Sequence, residues 1–143
     1  MKQLGPIPSG YEVIDHELAI GGQPVSRWVD NAGRTPLFVY SRDLIARRVA
    51  ALRDAMPAQL NINYAIKANS FGPVLEFMSD LVDGFDIASG GELAMIRNAG
   101  VDAARVSFAG PGKRDDELGA AIAAGVTLNL ESENEARRAL GIA

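Results

Sequence analysis

Lys67 closes the run Tyr64-Ala65-Ile66-Lys67-Ala68-Asn69, in which apolar and β-branched residues lead directly to an amine. A lysine at the end of a buried strand is partly removed from water, which disfavours the ammonium and frees the neutral amine to attack a carbonyl carbon. The same placement suits a strand-end lysine whose stem lies on apolar surface while its head reaches solvent. Further along, Asp86 interrupts the apolar run Phe85-Asp86-Ile87-Ala88. A carboxylate inside such a strand needs a partner, and Lys67 is the natural candidate. Ser89-Gly90-Gly91-Glu92 follows at once as a Ser-x-x-Glu capping box. Ser89 and Glu92 therefore read either as helix-start residues or as groups beside the amine. Asn69 likewise either lines the surroundings of that amine or stabilises a turn.

Other chemistries have less to draw on. The chain has no cysteine and one histidine, His16, so neither a thiolate metal site nor a histidine cluster can be built, and His16 reads as a surface residue. Across 143 residues, 18 acidic against 14 basic side chains give a net charge of -4, which supplies no broad basic field for nucleic acid or an anionic membrane. Hydrophobic residues at 48% and charged residues at 22% are ordinary globular usage, excluding a disordered tail, a collagen-like repeat and a coiled-coil rod. No apolar run approaches the ~20 residues that span a bilayer. Pro6 and Pro8 stand where a signal peptide would carry its apolar core, so the cytoplasm is the simplest setting. Small-molecule chemistry remains.

The elements that must position these residues follow from periodicity. Residues 1–34 read as a leader, with a small hairpin around Gly21-Gly22 and a short helix through Trp28 and Val29, capped by Ser26 and ended near Gly33. From residue 35 onward, strand candidates at Leu37 to Tyr40, Ile62 to Ile66, Phe85 to Ala88, Val106 to Ala109 and Val126 to Leu130 alternate with helical periods. Ser132-Glu133-Asn134-Glu135 is a second capping box, and Gly100 and Gly125 suit left-handed helix ends. Alternating strands and helices with short loops demand parallel strands.

A closed eight-unit barrel needs ~250 residues, so the four or five units here predict a partial (β/α)8 barrel, about half of one. An open doubly wound sheet would carry Gly-x-Gly-x-x-Gly after its first strand, and that pattern is absent. In a barrel the C-terminal ends of the strands form the catalytic face, which is where Lys67 falls. Gly110-Pro111-Gly112-Lys113 reads as a strand-to-helix turn, and Lys113-Arg114-Asp115-Asp116-Glu117 as the solvated first turn of a helix.

The run YAIKAN resembles the segment that carries the cofactor lysine in the pyridoxal-phosphate decarboxylases of the ornithine, arginine and diaminopimelate group. Phe85 to Leu93, Phe108 to Lys113 and Leu128 to Glu135 resemble that family's second, third and fourth barrel-strand motifs, in family order, and Thr35-Pro36-Leu37-Phe38-Val39-Tyr40 resembles the strand leading into the barrel. Within the family, the whole chain, including the Leu4-Gly5-Pro6-Ile7-Pro8 leader, is most similar to the subgroup associated with exosortase-linked polysaccharide systems. Alanine racemase shares the barrel, but its lysine motif runs on into Ala-Tyr-Gly where this chain has Ser70-Phe71-Gly72.

The resemblance implies an alanine-racemase-like barrel, pyridoxal 5'-phosphate as cofactor held by Lys67 as a Schiff base, and decarboxylation of an amino acid. It implies that Asp86 and Glu92 act beside that lysine and that Asn69 and Ser89 line the cofactor face, with no metal. It further implies a homodimer for the full-length protein and places the stacking histidine, the phosphate loop and the C-terminal β domain beyond this sequence. The chain is accordingly expected to be an N-terminal portion with little turnover alone. A non-catalytic pyridoxal-phosphate or interaction module, an amino acid racemase and a Schiff-base aldolase are the competing readings.

Overall fold

The computed structural model describes residues 7–8 and 10–143, which form two compact units, Met1–Ala55 and Met56–Ala143. In the first, β1 (Glu12–Ile14), β2 (Glu17–Ile20) and β3 (Gln23–Pro24) form an antiparallel sheet in that order. The Gly21-Gly22 hairpin is present, and a second two-residue turn at Asp15-His16 also has positive φ at both positions. Two-residue hairpins need that geometry, and Asp and His tolerate it better than most side chains. His16 is exposed.

Helix α1 (Val25–Ala32) begins two residues earlier than expected, with Pro24 as N-cap in place of Ser26 and Gly33 closing it at φ 65°. Ser26 lies inside the helix, and its amide donates instead to Glu17 Oε2 at 3.1 Å. The expected strand at Leu37 to Tyr40 does not form. A strand needs a ladder partner, and none pairs with it among the described residues. Phe38, 85% exposed, stacks on Tyr40 with ring centroids 6.4 Å apart, as two residues on one side of an extended backbone do. Helix α2 (Arg42–Ala55) follows.

The second unit is the β/α repeat. Strands β4 (Asn63–Ala65), β5 (Gly84–Ile87), β6 (Val106–Phe108) and β7 (Thr127–Leu128) form a parallel sheet, alternating with helices α3 (Gly72–Ser79), α4 (Gly90–Asn98), α5 (Asp115–Ala124) and α6 (Glu133–Ile142). The strands lie in sequence order, β4-β5-β6-β7, with no reversal. A doubly wound sheet would reverse, whereas a barrel wall does not. The wall is open.

Register decides which side chains face which layer. Ala65, Asp86, Ser107 and Thr127 occupy one row across the four strands. Their neighbours Phe85, Ile87, Val106 and Phe108 alternate to the other face and are buried, together with Leu75, Ile96, Leu118 and Ala121 of the helices. Each of these side chains except the smaller Ala121 contributes about 1.5–3 kcal/mol by leaving water. Polar residues are thereby left on the inner, open face.

Gly84 is required by close approach: a Cβ there would lie 2.5 Å from Asn63 Oδ1 and 2.8 Å from the Arg105 carbonyl. Arg105 itself donates to the carbonyls of Ser79, Val82 and Asp83 at 2.9, 2.6 and 3.1 Å, fastening the end of α3 to the start of β5. Gly125 ends α5 at φ 78°, as the sequence predicts. No helix among the described residues is long and apolar enough to cross a membrane.

Candidate active site

Strand β4 stops at Ala65, and Ile66–Ala68 wind into one tight 3-10 turn that places Lys67 at the C-terminal edge of the sheet. The fully buried Ile66 anchors that turn from below. Asn69 closes it: its amide donates to the Ile66 carbonyl at 3.1 Å, its Oδ1 accepts from Phe71 N–H at 3.0 Å, and its carbonyl accepts from the Tyr64 hydroxyl at 3.2 Å. Lys67 is exposed, and among the described residues no hydrogen bond or ion pair engages its amine. The partial desolvation expected from sequence is not found, because the open wall leaves the inner face to water.

Asp86 pairs in register with Ala65, two residues before Lys67, and is half-buried on the inner face. The expected Asp86–Lys67 ion pair is not formed. Strand alternation has turned the carboxylate out of the apolar layer and onto the half-open inner face.

Ser89 and Glu92 start α4. Ser89 Oγ accepts from Glu92 N–H at 3.2 Å, and Glu92 Oε2 accepts from Ala88 N–H at 2.5 Å. The carboxylate thus returns to the residue before the cap, sealing the end of β5. The same arrangement recurs at α6, where Ser132 Oγ accepts from Glu135 N–H at 3.1 Å and Glu135 Oε2 accepts from Glu131 N–H at 2.8 Å.

Neighbouring turns are also stitched to one another. Glu117 accepts from Gly90 N–H at 2.7 Å and from Arg114 N–H at 3.0 Å, so the start of α5 holds the start of α4. Those amides, Gly90 first, hold the Glu117 carboxyl below the ordinary carboxylate range. Glu131, after β7, accepts from Gly110 N–H, after β6.

Of the run expected as a solvated first helical turn, Arg114, Asp115 and Asp116 are exposed at the start of α5, whereas Lys113 is buried and Glu117 is partly so. The Lys113 side chain is 1% exposed, and Nζ donates to the carbonyls of Gly110 and Asn129 at 2.7 and 2.8 Å and to Glu135 Oε1 at 2.9 Å. It also lies 5.6 Å from the centroid of the Phe108 ring. Glu135 is held below the usual carboxylate range, chiefly by the Glu131 amide and then by Lys113. No motif marks this cluster in advance, since two of the three acceptors are backbone carbonyls and the third lies 22 residues away.

At the strand ends the structure thus brings Lys67, Asn69, Asp86, Ser89 and Glu92 onto adjacent turns of one edge, with Lys67 alone among the lysines of this unit free to react. Residues 42–140 match the pyridoxal binding domain of the pyridoxal-dependent decarboxylases. The chain is 39% identical over 136 residues to a diaminopimelate decarboxylase of Aquifex aeolicus, covering 94% of this chain and 31% of that protein. It is 40% identical over 126 residues to the diaminopimelate decarboxylase of Pseudomonas aeruginosa, covering 87% of this chain and 30% of that one. Among solved structures, a protein of Aquifex aeolicus superposes with a TM-score of 0.84 at 37% identity, over 92% of this chain and 33% of that one. The chain spans about a third of the length of the relatives it matches. The donor set fits pyridoxal 5'-phosphate: an uncommitted amine for its aldehyde stands on the turn after β4, and the neighbouring strands carry the Asp86 carboxylate and the polar Ser107 and Thr127 in one row of the inner face. The four-stranded wall is part of an alanine-racemase-like (β/α)8 barrel, and the chain belongs to the pyridoxal-dependent decarboxylase family through its pyridoxal binding domain.

Proposed function

We propose that the chain contributes the cofactor-anchoring wall of an amino acid decarboxylase, with Lys67 as the residue that holds pyridoxal 5'-phosphate. One observation carries this reading: Lys113 has all three ammonium hydrogens committed to protein acceptors, whereas Lys67 is exposed and uncommitted at the catalytic edge of the wall. When bound, the cofactor supplies an electron sink for the pair released as carbon dioxide departs. Asn69 fixes the turn that presents Lys67. Asp86 offers a carboxylate on the adjacent strand to orient or polarise the bound groups. Ser89 and Glu92 hold the loop between β5 and α4 at the cofactor face.

The substrate class is a diaminopimelate- or ornithine-type amino acid, a reading supported by relatives that are diaminopimelate decarboxylases. A homologue from Helicobacter pylori, at 28% identity, is a diaminopimelate decarboxylase solved with L-lysine. The leader Leu4-Gly5-Pro6-Ile7-Pro8 supports placing the protein in the exosortase-associated subgroup. Residues 1–34 are taken as the leader and 35–143 as the barrel-forming part of a cytoplasmic enzyme that works as a homodimer at full length. The 143 residues by themselves are expected to release no carbon dioxide, because the open wall does not enclose the cofactor.

The test is to incubate the chain with pyridoxal 5'-phosphate, reduce with borohydride and map the adduct by peptide mass spectrometry. A single adduct at Lys67, lost in Lys67→Arg, is expected. Labelling spread equally over other amines, or unchanged in Lys67→Arg, overturns the assignment.

A further inference from the structure

Asn129 stands just past β7, at the same C-terminal edge as Lys67, and is exposed. An exposed asparagine ordinarily keeps its rotamer freedom. This one has its backbone held at two points and its side chain at one. Its amide donates to the Phe108 carbonyl at 3.0 Å, its carbonyl accepts from the buried Lys113 at 2.8 Å, and its side-chain Nδ2 donates to Ser107 Oγ at 2.7 Å. Ser107 in turn lies beside Asp86 in register, on the inner face of the wall.

The ladder already joins β6 to β7 through Ser107 with Thr127 and Phe108 with Leu128, so the side-chain bond is additional to strand pairing. It leaves the second Nδ2 hydrogen and Oδ1 of Asn129 without a protein partner among the described residues. A donor immobilised before its ligand arrives loses little entropy on binding, which is what a recognition group requires. Strands β4 and β7 stand three spacings apart, about 14 Å. For the two residues to meet one ligand, the stem of Lys67 and a group joined to it would have to extend across that width.

We infer that Asn129, held by Ser107 and Lys113, is a binding residue of the inner wall whose free amide hydrogen donates to an anionic oxygen of the group anchored on Lys67. The inference rests on the anchoring role of Lys67 and adds a site residue at the opposite edge of the sheet.

The experiment titrates the 143-residue chain with pyridoxal 5'-phosphate and, separately, with pyridoxal, traps with borohydride, and quantifies the Lys67 adduct by mass spectrometry. Asn129→Asp keeps the shape and still meets the Ser107 hydroxyl, but replaces the donor with a carboxylate. The half-trapping concentration of pyridoxal 5'-phosphate is expected to rise at least fivefold. A rise with pyridoxal as well assigns the contact to the phenolic oxygen borne by the ring, and a rise with the phosphate ester alone assigns it to the phosphate. Circular dichroism on the same samples verifies the fold. Should Asn129→Asp not fold, Asn129→Thr, which retains a hydroxyl for Ser107 and no amide, is expected to give the same rise. Trapping within twofold of the unsubstituted chain in the folded variant overturns the inference. Absence of any Lys67 adduct in the unsubstituted chain overturns the anchoring role itself, and this inference with it.

Discussion

Replacing Lys113 with methionine removes one charge while preserving most of the side-chain volume. The consequence follows from its surroundings. Glu135, 5% exposed at its side chain, loses its cation and keeps the Glu131 amide, while the carbonyls of Gly110 and Asn129 lose a charged donor. Breaking a buried pair by removing one partner costs about 3–5 kcal/mol. That is a large part of the roughly 5–15 kcal/mol that holds a domain together. With a urea slope of about 2 kcal/mol per molar, the unfolding midpoint should fall by about 2 M. Lys113→Met/Glu135→Leu removes both charges. Its loss should be smaller than the sum of the two single losses by about 1–3 kcal/mol, because the second substitution no longer strands a charge. Urea titrations followed by circular dichroism measure all three variants. A loss under about 1 kcal/mol for Lys113→Met, or strict additivity in the cycle, would refute the reading of this pair as a buried staple between two turns.

Two further outcomes concern the same turns and the sheet beneath them. Glu17, Glu117 and Glu135 have carboxyls held below their ordinary range, by the Ser26 hydroxyl and amide, by the Gly90 and Arg114 amides, and by the Glu131 amide with Lys113, respectively. A folded-state value below the unfolded one contributes stability that is complete above the unfolded value and is lost as pH falls through the folded one. Urea midpoints should therefore hold steady from neutrality to about pH 5 and drop below the carboxylate range. Glu117→Gln should flatten that drop. Gly84→Ala drives a methyl into the Arg105 carbonyl and Asn63 and should cost about 1–3 kcal/mol in a thermal melt. Gly112→Ala, with open space around it, should stay within about 0.5 kcal/mol.

The parts of the molecule that repeat were legible from the residues alone. Val106 and Phe108 with Leu118 and Ala121 follow two periods, and the serine of each Ser-x-x-Glu box closes on the expected amide, while the glutamate reaches one residue further back, to Ala88 and Glu131. The place of Lys67 at the end of a strand was legible for the same reason, although β4 itself is only partly buried and Ile66 alone is fully so. What could not be read were interactions whose partners carry no residue-type signature. Lys113 looks like a surface residue beside glycines and acids until the carbonyls of Gly110 and Asn129 are folded around it. Asp86 misled in the opposite direction: an acid in an apolar string suggests burial and a partner, but period-two alternation turns it to the open face. Leu37 to Tyr40 has the composition of a strand, and composition cannot supply the neighbour a strand requires.

The stitches between successive turns constrain how such a wall can be rebuilt. Glu117 belongs to one β/α unit and serves the backbone of the preceding one, while Lys113 is donated by one unit and received by the next. Exchanging the loop and helix after β6 for those of a distant cousin would therefore orphan the Gly90 amide on one side and the Glu135 carboxylate on the other. Chimeras cut between adjoining units should fail where those that transplant β5 through α6 as one block succeed, so inheritance at this rim runs in cohorts of turns and not one loop at a time.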